Sequence, residues 1–500
     1  MAACPDEFDV VATETDIHNP RAHTAHYYHA SSTSRVLLRD DARHGLLWRA
    51  LLAPRTLLAS TLHGLSATFL PVGYPHSVRE EYLVYQTWDT IQALCSYLRG
   101  ILTTKAILEG SGVGSETASA LSAAMNWVFR DGVGMSSSLL FSSLASVSFD
   151  GNVKEWRLFA DIANDFGLTL DMLTGLPIFK PSFLLLTCIS TVCKTMCGVA
   201  AGCTKSSITA HFALEGNIAD VSAKENAQET AVTLLGICGG LFFAQWIASP
   251  TAAWPVFLFL TALHVYANYK GVVALQLFSL NTQRASLLIH HFLKHDVRSR
   301  SSNASSHSPP PFLLLTPSQV KTREKVYQPL WSWLLAQQPL MGCRVSDLSL
   351  PSSSHLSYLL FRVYTREKYL LSFSPSSGRL LVVFRTGASP QDELKAFFQA
   401  QAMRFLYPEL TPRRAREEAG KERGREAAEW PSPMLMKAVL KSYEMTVHRF
   451  PVFWEALVDG GRKEGKEGGG KERWELKRVN LGTGGWRLMS GEEKEHKKKR

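Results

Sequence analysis

"TWDTIQALCSYLRGILTTKAILEGSGVGSETASALSAAMNWVFRDGVGMSSS" (residues 87–138) decides the fold class, because its glycines form either a dinucleotide-binding turn or a break between helices. A dinucleotide turn needs a buried strand leading into G-x-G-x-x-G, so that the backbone can approach a pyrophosphate at a helix N-terminus. Gly110, Gly112 and Gly114 read G-x-G-x-G instead, which misplaces the third glycine, although Asp131 lies about where a ribose-binding acid would. The approach is decisive: Ile91, Leu94, Cys95, Leu98, Ile101 and Leu102 recur at threes and fours, the period of a helix. A helix entering the turn excludes a Rossmann unit. A second G-V-G, Gly132 to Gly134, predicts two short helices started by similar breaks.

Working outward, a helix-rich body runs from about residue 60 to 295. Within it no Lys, Arg, Asp or Glu occurs between Glu229 and Lys270, a run of 40 residues. Pro250 and Pro255 divide the run into an arm over 231–249 and a second arm ending near Tyr269. A bilayer core needs about 20 apolar residues per helix, so the pattern predicts a membrane hairpin or one span. Trp246 and Trp254 beside the break, and Tyr266, Tyr269 and Lys270 at the far end, fit interfacial anchors.

The chain has 500 residues and is 45% hydrophobic, beyond the size at which a single core stops growing, so more than one domain is predicted. Residues 1–35 lack hydrophobic periodicity and read as a disordered N-terminus. The Ser- and Pro-rich stretch 298–318 reads as a linker. After it, "KYLLSF" and "RLLVVF" around "SPSSG" predict a β-hairpin, and "SPQDELKAFFQAQAMRFL" a helix capped by Ser389. The fold class is therefore mainly α: a helical core domain over 60–295 with a membrane hairpin, followed by a smaller α/β domain over 319–457. A charged insertion over 411–430 and a charged low-complexity tail over 460–500 complete the layout.

The formal charge is +10, but the last forty residues carry thirteen Lys or Arg against seven Asp or Glu. Basicity concentrated in a tail does not describe a nucleic-acid groove, and no nucleic-acid partner is expected. Asp6, Glu7 and Asp9 stand where a secretory signal would be basic and apolar. Four of the eight cysteines crowd into "CISTVCKTMCGVAAGC" (188–203) without zinc or cluster spacing, and His18, His23, His26 and His29 lie in unpatterned polar sequence. No metal site is predicted.

"WRLFADIANDFGLTLDML" places Arg157, Asp161 and Asp165 on one helical face with Asn164 beside them. "EGNIADVSAKENAQET" sets Asn217, Asp220 and Lys224 on one face, and Glu225 and Glu229 on the next. Charges in an apolar bundle need partners, so the two helices are predicted to face each other, with Asp161 and Lys224 coupled. The candidate ligand-binding set is Arg157, Asp161, Asn164, Asp165, Lys205, Asp220, Lys224 and Glu229. Lys105, Lys194, Lys205 and Lys224 are the lysines near apolar sequence that could form a Schiff base. No Ser-His-Asp order, H-E-x-x-H or P-loop accompanies them, and no catalytic residue is assigned.

The blocks "FLPVGYPHSVREEYLVYQTWDTIQAL" (69–94), "EWRLFADIANDFGLTLDML" (155–173), "NIADVSAKENAQET" (217–230) and "FLTALHVYANYKGVVAL" (259–275) resemble, in collinear order, those of the root UVB sensitive family. The resemblance implies a mostly helical, membrane-associated protein without established catalytic activity. Plant members are linked to seedling development, ultraviolet-B response, auxin transport and vitamin B6 homeostasis. It implies a non-enzymatic adaptor or homeostasis factor, with membrane lipid and another family member as partners. The alternatives are a vitamin B6-binding carrier or enzyme with pyridoxal phosphate as ligand, and a small-molecule transporter.

Overall fold

The structure, a computed structural model, describes residues 8–15, 24–30, 33–39, 64–111, 120–247, 250–301, 314–327, 338–348, 353–374, 379–408, 432–459, 474–481 and 487–488. Strands β1 (Phe8–Thr15), β2 (Thr24–Ala30) and β3 (Thr33–Arg39) form an antiparallel sheet in that order. The described residues within 1–35, the stretch expected to be a disordered N-terminus, thus form strands. "FDVVATET" and "TAHYYHA" are rich in β-branched and aromatic residues, a strand signal with no helical period.

Six helices build the core: α1 (Tyr82–Gly110), α2 (Ala120–Ala145), α3 (Val153–Leu173), α4 (Phe183–Phe212), α5 (Ile218–Trp246) and α6 (Pro250–Ala274). The helix read into the approach to Gly110 is α1, and it is the central element, packed on α3, α5 and α6. Gly132 and Gly134 break nothing. Both lie inside α2, where Gly134 packs so near α4 that a Cβ would sit 2.8 Å from Thr191. Gly112 and Gly114 lie outside the described residues.

The expected first arm of the membrane hairpin is the second half of α5, one continuous helix that begins with the polar block 217–230. The second arm lies in α6, with Pro255 inside the helix. Among the described residues two helices are long and apolar enough to cross a membrane, Pro177–Phe212 and Ala252–Ala274. The first contains α4, which the charge-free run did not single out because Lys194 and Lys205 interrupt it.

Beyond β4 (Ser279–Asn281), α7 (Thr282–Ser301) turns its apolar face, including Leu288, Ile289 and Phe292, into the core of the C-terminal part. Helix α7 lies mostly within the stretch expected as the helical core domain, 60–295, yet packs its apolar face on the C-terminal part. After α8 (Pro317–Arg323), β5 (Leu340–Met341) and α9 (Ser353–Tyr358) come the expected hairpin strands, β6 (Tyr369–Ser374) and β7 (Arg379–Arg385). They pair antiparallel, with Leu371 opposite Val382. Helix α10 (Pro390–Leu406) starts as its sequence predicts: the Ser389 hydroxyl accepts from the Asp392 amide and the Asp392 side chain returns the bond. It buries Leu394, Phe397, Phe398 and Met403 against α7 and α11 (Ser432–Asp459). The insertion 411–430 lies outside the described residues. Part of the tail is structured: β8 (Glu475–Asn480) pairs with β4, and β9 (Arg487–Leu488) with β7.

An ion triad ties the two parts. Glu324 accepts from Lys154 of α3 at 2.7 Å and from Arg284 of α7 at 2.9 Å, and all three side chains are nearly inaccessible. Burial alone would raise the Glu324 carboxyl, but Arg284 and Lys154 together hold it below its ordinary value.

Candidate functional site

The polar interior of the bundle is built around α1. Its sequence places Gln86, Asp89, Gln92, Ser96 and Arg99 at helical spacing, so one polar stripe runs down a helix otherwise buried by Tyr82, Tyr85, Cys95 and Leu102. Arg99 is fully buried, and its Nη1 donates to Asp165 of α3 at 2.5 Å and to Thr261 of α6 at 3.4 Å. The ring nitrogen Nδ1 of His264, on α6, lies 3.0 Å from the same Asp165 carboxylate. One carboxylate therefore joins three helices. One turn earlier on α3, Asp161 lies 3.8 Å from Arg157, whose Nη2 donates to Asp89 at 2.8 Å. Asn164 reaches Ser96 at 3.5 Å, and Lys194 of α4 pairs with the buried Asp171 at 2.5 Å.

The residues expected from the second polar block do not join this interior. Asp220 accepts from the Val72 amide at 2.8 Å, Lys224 donates to the Ala67 carbonyl, and Gln228 donates to the Phe69 carbonyl at 2.6 Å. These residues at i, i+4 and i+8 on α5 fasten the segment before α1, a short helix over 64–69 and the turn after it. Lys205 pairs with Glu229 at 2.8 Å on the surface. The predicted facing of 157–165 against 220–229 is thus corrected, since α3 meets α1, α4 and α6 and its acids pair with none of the α5 set. One residue on α5 does turn inward. Glu225, about 100° around the helix from Lys224, accepts from Gln86 at 3.0 Å and from Thr209 at 2.7 Å.

Sequence reasoning missed Arg99, Asp89 and His264. The available signal was a lone cation on the apolar stripe of α1, and a histidine inside the charge-free run.

Four buried atoms on Arg99, which pairs with Asp165, and on His264 and residues one turn from Asp165 or His264 make no hydrogen bond: Arg99 Nη2, Asp161 Oδ2, His264 Nε2 and Asn268 Nδ2. Buried polar atoms without partners are costly, so their grouping marks unfilled capacity for a polar guest. A groove of about 680 Å³ between α3 and α6, lined by Leu158, Ile162, Leu258, Thr261, Tyr266 and Tyr269, runs beside the network. Thr261 belongs to both. No group of three or more metal-ligating side chains occurs among the described residues, and the seven described cysteines are free.

A covalent pyridoxal phosphate site needs an unengaged lysine at a cavity. Lys194 and Lys205 are paired with carboxylates, Lys224 with a carbonyl, and Lys105 lies exposed 3.9 Å from Glu109. None of the four lines the groove, so these lysines do not fit a Schiff-base site.

Residues 55–296 match the family model described as the vitamin B6 photo-protection and homoeostasis domain, and residues 314–490 the model described as the C-terminal part of root UVB sensitive proteins. The chain is 34% identical to protein root UVB sensitive 3 of Arabidopsis thaliana over 391 residues, covering 76% of this chain and 81% of that protein. The chain belongs to the root UVB sensitive family. It is also 47% identical over 229 residues to RUS family member 1 of Dictyostelium discoideum, covering 45% of this chain and 43% of that one. Protein root UVB sensitive 5 of Arabidopsis thaliana is 29% identical over 66% of this chain. No solved structure matches. The family model over 55–296 contains all the polar interior built on α1, α3 and α6.

Proposed function

We propose that this root UVB sensitive family protein is a membrane-embedded, non-enzymatic factor of vitamin B6 homeostasis. One observation carries the reading: the helical core buries an ion pair while exposing many large apolar side chains. Arg99 and Asp165 are buried, while Val128, Leu139, Leu235, Phe242 and Phe259 are each more than 65% exposed, on α2, α5 and α6. In water such a surface would be an aggregation liability, whereas in lipid it is the matching solvent. Ionisable side chains facing the interior of an apolar bundle are the pattern of membrane proteins that handle polar solutes. The family model's description supplies the vitamin B6 part of the reading. Alkaline carbonate extraction of membranes from cells producing the full chain tests it. Retention in the pellet is expected, and full release into the supernatant overturns integral insertion.

A second reading is a carrier that binds pyridoxal phosphate without covalent attachment, and the unpartnered atoms beside Asp165 favour it. It predicts that pyridoxal phosphate raises the melting temperature of the detergent-solubilised chain, an effect absent from His264→Ala. Borohydride treatment is expected to trap no adduct on Lys105, Lys194, Lys205 or Lys224. The same lipid-facing surface suits contact with a second family member within the membrane.

A further inference from the structure

A cleft of about 980 Å³ lies away from the polar interior, where the first turn of α3 and the loop before it meet α7, α8 and the start of β7. Its walls are basic. His290, His291 and Lys294 come from α7, Arg323 closes α8, and Arg379 opens β7. Among the described residues no carboxylate pairs with Lys294 or Arg323, and both are exposed to the cleft. Two acids also line it. They are Asp150, which accepts from Ser207 at 3.2 Å, and Glu155. We propose that this cleft is a binding site for a phosphate monoester, with Lys294 and Arg323 as its principal anchors.

The chemistry favours phosphate over a neutral ligand. Three permanent cations and two histidines converge on one concave surface, and guanidinium and ammonium groups give charge-assisted bonds to phosphate oxygens. The volume lies in the range of small-molecule sites and exceeds what inorganic phosphate alone would fill. Burial, reinforced by Glu324, pushes the Glu155 carboxyl up to about 7. Near neutrality roughly half of it is therefore protonated, and in that form it opposes an anion less than a carboxylate would. The site does not depend on the proposed function.

Binding to the purified, detergent-solubilised full chain by titration calorimetry tests the proposal. The probes are ribose 5-phosphate, ribose, and micelles doped with phosphatidic acid. Saturable binding of a phosphate probe but not of ribose is expected. It should weaken about tenfold or more in Lys294→Ala/Arg323→Ala and persist in Lys437→Ala, whose lysine is exposed outside the cleft. Variant-sensitive binding of ribose 5-phosphate identifies a soluble ester, and variant-sensitive binding of phosphatidic acid alone identifies a lipid headgroup. Absence of saturable binding, or wild-type affinity in the double variant, overturns the site. Lys294→Gln, a single change at an exposed position, repeats the comparison should the double variant melt early.

Discussion

Asp165 is the residue on which the interior depends, because it is the only carboxylate within reach of the fully buried Arg99 among the described residues. Asp165→Ala would leave that guanidinium uncompensated in low dielectric, a change that typically costs about 3–5 kcal/mol. Lys205→Ala removes an exposed pair, and its cost is about 0–1 kcal/mol. Melting curves of the two variants beside the wild type check the contrast, and similar shifts would deny the burial of the Arg99 pair. Glu155 gives a pH signature. Its folded pKa, about 7, exceeds the ordinary 4.5, so the native state binds the proton more tightly than the unfolded state. Its contribution is fully present below 4.5 and is lost as pH rises through 7. The melting temperature of the wild type is therefore expected to fall relative to Glu155→Gln across that interval, and parallel curves would remove the shift. How visible such residues are in sequence depends on separation along the chain. Arg157, Asp161 and Asp165 could be read because i, i+4 spacing on one helix puts them on one face. Arg99 finds its partner 66 residues away, and nothing local to "SYLRGIL" announces it.

At the scale of elements, the contact of α5 with α1 rests on missing side chains. A Cβ on Gly236 would come 2.5 Å from the Tyr97 ring, and one on Gly240 would come 2.3 Å from Ile101 Cδ1, whereas Gly239 faces open space. Glycines one turn apart let two backbones approach closely, as membrane helices often do. Gly236→Val is expected to destabilise the bundle by about 1–3 kcal/mol through overpacking on the Tyr97 ring, whereas at Gly240 the mobile end of Ile101 can give way. Gly239→Val meets open space and, with valine the better helix former, should be near neutral, and equal effects in a melting comparison would contradict this packing. Helices and hairpin strands could be read from periodicity, and the Ser389 cap from side-chain chemistry. What could not be read was rotation. The face of α5 that meets α1 is chosen by Gly236, Gly240 and Glu225, and these lie beside the Asp220 and Lys224 stripe that drew attention as charge. The N-terminal strands and β8 were obscured for another reason: their partners are other short strands, and in β8 the pairing β4 is nearly two hundred residues earlier.

For the whole molecule, two parts with opposite surface logic are joined by the Lys154, Glu324 and Arg284 triad. The C-terminal part buries its apolar side chains on α7, α10, α11 and the β6–β7 sheet. The helical part exposes them on α2, α5 and α6. Glu324→Ala would strand two buried cations at the junction, with an expected loss of about 3–5 kcal/mol and early separation of the two parts in limited proteolysis. A single unchanged melt and proteolysis pattern would place the triad among the dispensable contacts. The central claim is that the outer faces of the helical part meet lipid. Spin labels at Leu139→Cys, Leu235→Cys and Phe259→Cys, each in a background freed of native cysteines and reconstituted in liposomes, measure this by collision with oxygen and with a water-soluble nickel chelate. The account predicts high oxygen and low nickel accessibility at all three positions; high nickel accessibility, or shielding from both reagents, would contradict it.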